Sequence, residues 1–416
     1  MEMNEATRNF VRQHADDDVR KLALRGSTDG VDLTVALQQI QGRQAARKKL
    51  PSWASQEDIL YPPHLNMEQC SSEQTARYKG SLTPVAFRGG EGSGYLCSSP
   101  NNQHPSPNNL HPSPKTLVDL TGGFGVDFAF MSEEFDEATY VERNSELFAI
   151  SSANMKILAP KAKCLNEDGL EVLHRLDHVS MIFMDPARRD HHGARTYGIS
   201  DCTPNVLEIK DELLQKADVV MLKLSPMLDW HKAISDLGEQ YIKEVHIVSV
   251  QNECKELLIV MQQQPAEPLT VYCVNDDSVF SYRPSPLSSN HISHLSSLIY
   301  LYEPNASIMK AGCFAEVEQA FGVSQLAPNS HLFASEQAIA DFPGRKFRVT
   351  AVTSMNKQDL KQALKDIRQA NIAVRNFPMS VADLRKRLKI SEGGNDYIFA
   401  TTLTEGKKVL IICQHL

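Results

Sequence analysis

Apolar and polar positions follow three different rhythms along the chain. Residues 1 to about 80 are polar, with a weak helical recurrence in Phe10, Val11 and His14 and again in Val19, Leu22 and Leu24. Ser71-x-x-Gln74 predicts a capping box opening a helix through Ala76, Tyr78 and Lys79. From Thr116 to Met261 the rhythm changes, and short β-branched or apolar runs alternate with helical segments. LVDL (117–120), ATYVE (138–142), AKCL (162–165), VSMIFMD (179–185) and VVMLKL (219–224) predict strands. Residues 126–134, 145–158, 168–176 and 204–216 predict the helices between them. Such alternation builds a parallel sheet covered by helices on both faces. Two further runs, EVHIVSV (244–250) and ELLIVM (256–261), are separated only by QNECK. That is too short for a crossover, so they predict an antiparallel hairpin closing a seven-stranded sheet.

After Pro265 a third rhythm begins. A strand near 269–274 leads through a polar stretch to YLYEPNASIMKAG (300–312), which opens a new unit. Strands at 347–353, 372–377, 397–403 and 408–414 and helices at 356–369 and 380–388 follow, a pattern expected of a small ferredoxin-like α+β sandwich. Between the first two regions, RGGEGSGY and NNQHPSPNNLHPSPK are rich in turn residues, with HPSP at 104–107 and again at 111–114. The expected division is a helical N-terminal region (1–95), a Pro/Asn-rich linker or loop (96–115), a Rossmann-like α/β core (116–265) and a C-terminal α+β domain (266–416).

A length of 416 residues fits two or three domains, and no apolar run reaches the roughly 18 residues of a membrane span. The first residues carry acids and no apolar h-region, against a secretory signal. The eight cysteines are dispersed without a CxxC pair, so reduced thiols in a cytoplasmic protein are expected, and no metal site. The net charge of −8 gives no general attraction to nucleic acid. Its distribution is uneven, because Arg345–Lys389 holds twelve Lys or Arg against three Asp. That segment is either a solvated helix face or a local phosphate-binding surface.

The candidate chemistry lies at strand ends. The first strand runs into DLTGGFGVD: Asp119 closes it, Thr121 follows, and Gly122, Gly123 and Gly125 make a turn into a helix that carries Asp127. Glycine permits close backbone approach to a ligand. A dinucleotide fingerprint needs a small residue where Phe128 stands, which argues against a nicotinamide cofactor. Glu142, ending the second strand, is placed to accept from two ribose hydroxyls. Asp168, after the third, is either an adenine contact or a plain N-cap. The fourth strand ends in Asp185-Pro186-Ala187-Arg188-Arg189. Proline fixes the backbone there, so that a carbonyl and the Asp185 carboxylate face an acceptor, and the arginines suit phosphate or carboxylate. Lys223 and Ser225, after the fifth strand, are candidate substrate contacts.

Together these motifs resemble class I S-adenosylmethionine-dependent methyltransferases. The whole chain resembles a bacterial family of such enzymes with a helical N-terminal region and a C-terminal THUMP-like domain containing a ferredoxin-like part. DLTGGFGVD, DPARR, EPNASIMKAG (303–312) and VRNFP…LRKRLKI…GGNDYIFATT (374–402) carry that likeness. The resemblance implies S-adenosyl-L-methionine as cofactor, bound by Asp119, Thr121, Gly122, Gly123, Gly125, Asp127, Glu142 and Asp168. It implies catalysis at Asp185, Pro186 and Arg188, substrate contacts at Arg189, Lys223 and Ser225, and RNA, with tRNA first, as substrate. Amino-methylating relatives carry a Pro-Pro-aromatic sequence after the acid, whereas Ala187 and Arg188 stand here. Uracil C5-methylating enzymes need a cysteine where this chain has Leu224-Ser225-Pro226, which leaves a nitrogen as the expected acceptor. The alternatives are a protein or small-molecule methyltransferase, and a non-catalytic binding protein of the same fold.

Overall fold

The computed structural model describes residues 3–24, 26, 29–86, 114–188, 198–284 and 298–416, with the backbone alone at 84–86 and 188. The linker expected at 96–115 therefore lies, up to residue 113, outside the described residues. The chain forms two compact units: Met1–Val245 with Glu256–Pro268, and His246–Lys255 with Leu269–Leu416.

The first unit opens with helices α1 (Glu5–Gln13), α2 (Val19–Leu24), α3 (Leu33–Lys49), α4 (Pro51–Ala54), α5 (His64–Gln69) and α6 (Glu73–Ala86). Short polar side chains start the longer ones: Asn4 accepts from Thr7 N–H at 2.8 Å and Asp32 from Val35 N–H at 3.1 Å. The cap of α6 differs from the expectation. Ser72, not Ser71, accepts the N–H of Thr75, at 3.2 Å, and the Ser71 hydroxyl is drawn off to a buried carboxylate.

The alternating region then gives β1 (Thr116–Asp119), α7 (Val126–Ser132), β2 (Glu137–Val141), α8 (Ser145–Leu158), β3 (Lys163–Leu165), α9 (Gly169–Arg175), β4 (Val179–Met184), the short pair β5 (Ala187–Arg188) and β6 (Cys202–Thr203), α10 (Val206–Lys216), β7 (Ala217–Leu224), α11 (Trp230–Leu237), β8 (Ile242–Val250) and β9 (Glu253–Met261). The seven expected strands lie in the order β8-β9-β7-β4-β1-β2-β3, but they do not close the sheet: β10 (Thr270–Asn275) and β11 (Ser278–Tyr282) continue it beyond β8 to nine strands. Strands β3, β2, β1, β4 and β7 are mutually parallel, and β9 runs antiparallel to β7. Buried Leu117, Val118, Ile182, Phe183, Val220, Leu222 and Ile259 make the middle of this sheet apolar on both faces, as a helix-covered parallel sheet requires. Helix α11 was absent from the sequence expectation. It forms because Asp229 caps it, accepting from His231 N–H at 2.9 Å, and because Trp230, Ala233, Ile234 and Leu237 make one buried stripe.

The second unit contains the hairpin β10 (Thr270–Asn275) and β11 (Ser278–Tyr282). The expectation held only its first strand; the turn at Asp276 (φ +52°) supplies the second. There follow β12 (Tyr300–Pro304), α12 (Ala306–Ala311), α13 (Phe314–Phe321), β13 (Ser324–Gln325), β14 (Phe333–Ser335), β15 (Gly344–Ser354), α14 (Lys357–Ala363), β16 (Asn371–Arg375), α15 (Val381–Leu388), β17 (Asp396–Thr402) and β18 (Lys408–His415). They form a seven-stranded sheet in the order β13-β14-β12-β15-β18-β17-β16. One face of this sheet is built on Leu301, Phe347, Phe399 and Ile411, and the other on Leu384, Ile398, Leu410 and Ile412.

Helix α9 starts against the end of β1: a Cβ on Gly169 would stand 2.2 Å from the Leu120 carbonyl oxygen. Backbone cannot yield as a side chain can. Gly169→Ala is expected to lower unfolding free energy by about 1–3 kcal/mol in denaturant titration. An unchanged midpoint would contradict this close approach.

Candidate active site

Four carboxylates end or follow neighbouring parallel strands: Asp119 closes β1, Glu142 follows β2, Asp168 follows β3 and Asp185 follows β4. All lie on the carboxyl edge of the sheet, where open α/β sheets bind ligands. The turn after β1 is shaped by glycine. Gly123 and Gly125 adopt φ of +56° and +85°, which side chains rarely tolerate, and a Cβ on Gly122 would stand 2.1 Å from the Tyr140 ring. Phe128 is fully buried in edge-to-face contact with Tyr140, at 5.5 Å between centroids, so its bulk serves the core.

This turn holds Glu142. Gly123 N–H donates to one carboxylate oxygen at 2.9 Å, and Asn144 N–H to the other at 2.6 Å. A carboxylate offers about four acceptor positions, so two remain for a ligand. Asp119 is only 1% exposed and accepts from Thr121 N–H at 2.9 Å; burial pushes its carboxyl well above the usual range. Thr121 joins two loops, because its hydroxyl oxygen accepts Asp185 N–H at 2.6 Å. Asp168 caps α9, one oxygen accepting Leu170 N–H at 2.8 Å. Pro186 is buried, and Ser225 caps its own turn, accepting Met227 N–H at 3.3 Å. The Arg188 side chain and all of Arg189 lie outside the described residues.

The structure joins two residues that sequence reasoning had kept apart. Lys223 donates to Asp185 at 2.6 Å and to Asp127 at 3.1 Å. Asp127, expected at the cofactor, turns into a buried charge cluster. It accepts from the Ser71 hydroxyl at 2.8 Å, and Lys79 Nζ stands 3.1 Å from its other oxygen. Lys79, wholly buried, donates to both oxygens of Glu256 at 2.6 and 2.7 Å. Burial opposes every one of these charges, and the partners decide the outcome. Lys223 and Lys79 outweigh desolvation at Asp127 and lower its pKa to about 2. Asp127 and Asp185 outweigh it at Lys223, whose ammonium stays well above its usual range. At Glu256 desolvation wins and the pKa rises.

Sequence reasoning missed Ser71, Lys79 and Glu256 as members of this site. A signal existed for Glu256, a carboxylate opening the apolar run ELLIVM in a strand that must be buried. Lys79 carried none, since a lysine in a polar helix reads as solvated.

The C-terminal part of the chain matches two family models: a ferredoxin-like domain over residues 300–343 and a THUMP domain-like one over residues 344–415. A structure from Porphyromonas gingivalis W83, described as a candidate methyltransferase, is similar over 100% of both chains, with 29% identity and a TM-score of 0.81. A candidate class I S-adenosylmethionine-dependent methyltransferase of Listeria monocytogenes matches 66% of this chain and 94% of its own, at 11% identity and a TM-score of 0.38. No curated protein matches. By fold, then, the chain is similar to a methyltransferase: a Rossmann-like parallel sheet extended at one side by antiparallel strands. Its particular form, with N-terminal helices and a C-terminal ferredoxin-like and THUMP-like pair, is the one shared at full length with the Porphyromonas protein.

The charge cluster makes a stability test. Lys79→Met leaves Glu256 without its ion-pair partner and is expected to cost about 3–5 kcal/mol in denaturant unfolding. Lys79→Met with Glu256→Leu should recover a large part of that loss. A near-neutral single variant would contradict the buried pair.

Proposed function

We propose that the chain is an S-adenosylmethionine-dependent methyltransferase acting on RNA, most directly on a nitrogen. The observation that carries this reading is Glu142, held by two backbone N–H groups at the sheet's carboxyl edge beside the glycine turn. Its remaining acceptor positions suit a ribose diol. The turn is open at Gly123, where a Cβ would meet nothing closer than the Thr121 carbonyl oxygen at 3.8 Å. The second oxygen of Asp168, after the next strand, would accept from the exocyclic amine of adenine. When bound, the cofactor supplies a methyl group on a sulfonium, an already activated leaving group.

Asp185 then has a defined task. Lys223 pins one of its oxygens, and the Thr121 hydroxyl fixes its backbone. The side chain is 40% exposed, so the other oxygen can accept from an amine and hold the nitrogen lone pair in line. Such positioning contributes much of a transfer barrier and needs no covalent attachment to the base. Buried Pro186 fixes the loop on which this depends. RNA as the substrate class draws on the THUMP domain-like match and on the basic segment Arg345–Lys389. tRNA remains the first member of that class to try.

Calorimetric titration with S-adenosylmethionine tests the cofactor site. Wild type should bind, and Glu142→Ala should weaken binding by about 1–3 kcal/mol, the scale of hydrogen bonds to a charged group. Equal affinities would displace Glu142 from the site, and a folded wild type without affinity would overturn the reading.

A further inference from the structure

In the second unit, strands β12 and β16 are separated by β15, β18 and β17 in the sheet, yet Arg375 on β16 donates to Glu303 on β12 at 2.6 Å. The sheet therefore curls until its concave face closes on itself. Leu301, Phe347, Ala373 and Phe399 lie in or against the apolar cluster on that face. Two residues along the same strands, and so on the same face, stand Glu303, Arg345, Arg375 and Thr401. A polar group thus adjoins an apolar core.

Its internal pairing is incomplete. Arg345 donates to Glu303 at 2.7 Å, so one carboxylate meets two guanidinium groups and one positive charge is left over. Among the described residues, buried Arg375 Nε has no hydrogen-bond partner, and neither has the hydroxyl of Thr401, which is 0% exposed. These two residues are directly opposite in the parallel β16–β17 pair. A third such atom is Nδ1 of His331, in the turn that Thr404 fastens to the end of β17 through the Leu326 carbonyl at 3.4 Å. Burial, and then the charge of Arg375, lower the pKa of His331. Arg345 and Arg375 keep side-chain exposures of 44% and 39%, so solvent reaches other atoms of the two arginines and the buried donors lie one layer beneath them.

Each buried polar atom without a partner costs about 1–3 kcal/mol, and two donors beside surplus positive charge specify an oxyanion. We propose that this group of side chains binds a phosphate, with Arg375 Nε–H and Thr401 O–H donating to its oxygens. Excess basic charge over 345–389 favours a phosphate carried on a polyanion, and free phosphate has the same chemistry. The proposal does not rest on methyl transfer, and S-adenosylmethionine affinity serves as its independent control.

The test uses the full chain. Inorganic phosphate is titrated by calorimetry, and a fluorescein-labelled unstructured RNA oligonucleotide by anisotropy at fixed salt. Thr401→Val removes the hydroxyl at nearly constant volume; Arg375→Lys keeps the charge but removes the Nε–H fork. Each variant is expected to weaken binding by about fivefold to twentyfold, with S-adenosylmethionine affinity unchanged. Thr401→Val should also leave the melting temperature level or raised, because it removes a buried orphan. Weakening for RNA but not for free phosphate assigns the site to a nucleic-acid phosphate; weakening for free phosphate alone assigns it to a small anion. Wild type binding neither probe, or both variants binding like wild type, overturns the proposal.

Discussion

Burying charge is the constraint on which the first unit depends. An ion withdrawn from water costs several kcal/mol unless a partner of opposite sign is held in place. Lys79, Asp127, Lys223 and Glu256 are all buried or nearly so, and each supplies what another lacks. They come from helix α6, helix α7, strand β7 and strand β9, and no two are close in sequence. The cluster can form only when these four elements are correctly placed. It locks the N-terminal helices to the sheet and, through Lys223, fixes the orientation of Asp185. A site on a loop thereby acquires the precision of the core.

Close packing shapes the carboxyl edge of the sheet as well. Gly122 lets the Tyr140 ring pass beneath the turn, and the Tyr140 hydroxyl and Ser151 both donate to the Gly123 carbonyl. That leaves the Gly123 N–H turned towards Glu142. One residue, through the two peptide units that flank it, anchors the turn on one side and holds the carboxylate on the other.

Much of this was legible in the sequence, for definable reasons. Period-two and continuous apolar runs gave the parallel strands and the strands β8 and β9 beside them, because strands buried on both faces must be apolar throughout; that β10 and β11 extend the same sheet was not legible. Sequence order also placed Asp119, Glu142, Asp168 and Asp185 on one sheet edge, since every parallel strand ends on that side. The cluster around Asp127 was not legible. Its partners lie between 38 and 177 positions apart along the chain for the pairs Lys223–Asp185 and Lys79–Glu256, and no local pattern encodes such distances. Ser71 shows the same limit at short range: its spacing suits a cap, but a buried carboxylate competes for its hydroxyl and Ser72 takes the cap instead. Helix α11 was readable from Asp229 and the stripe that follows, and its brevity hid it.

The central claim is methyl transfer to RNA directed by Asp185, and the most direct measurement follows the methyl group itself. Total RNA from cells lacking the gene would be incubated with the protein and S-adenosylmethionine carrying a tritiated methyl, then digested and counted by nucleoside. The account predicts label on one nitrogen-methylated nucleoside with wild type, and loss of at least about a hundredfold with Asp185→Asn, the scale of a positioned acceptor group. Label confined to protein, no label in any fraction, or a variant as active as wild type would contradict it.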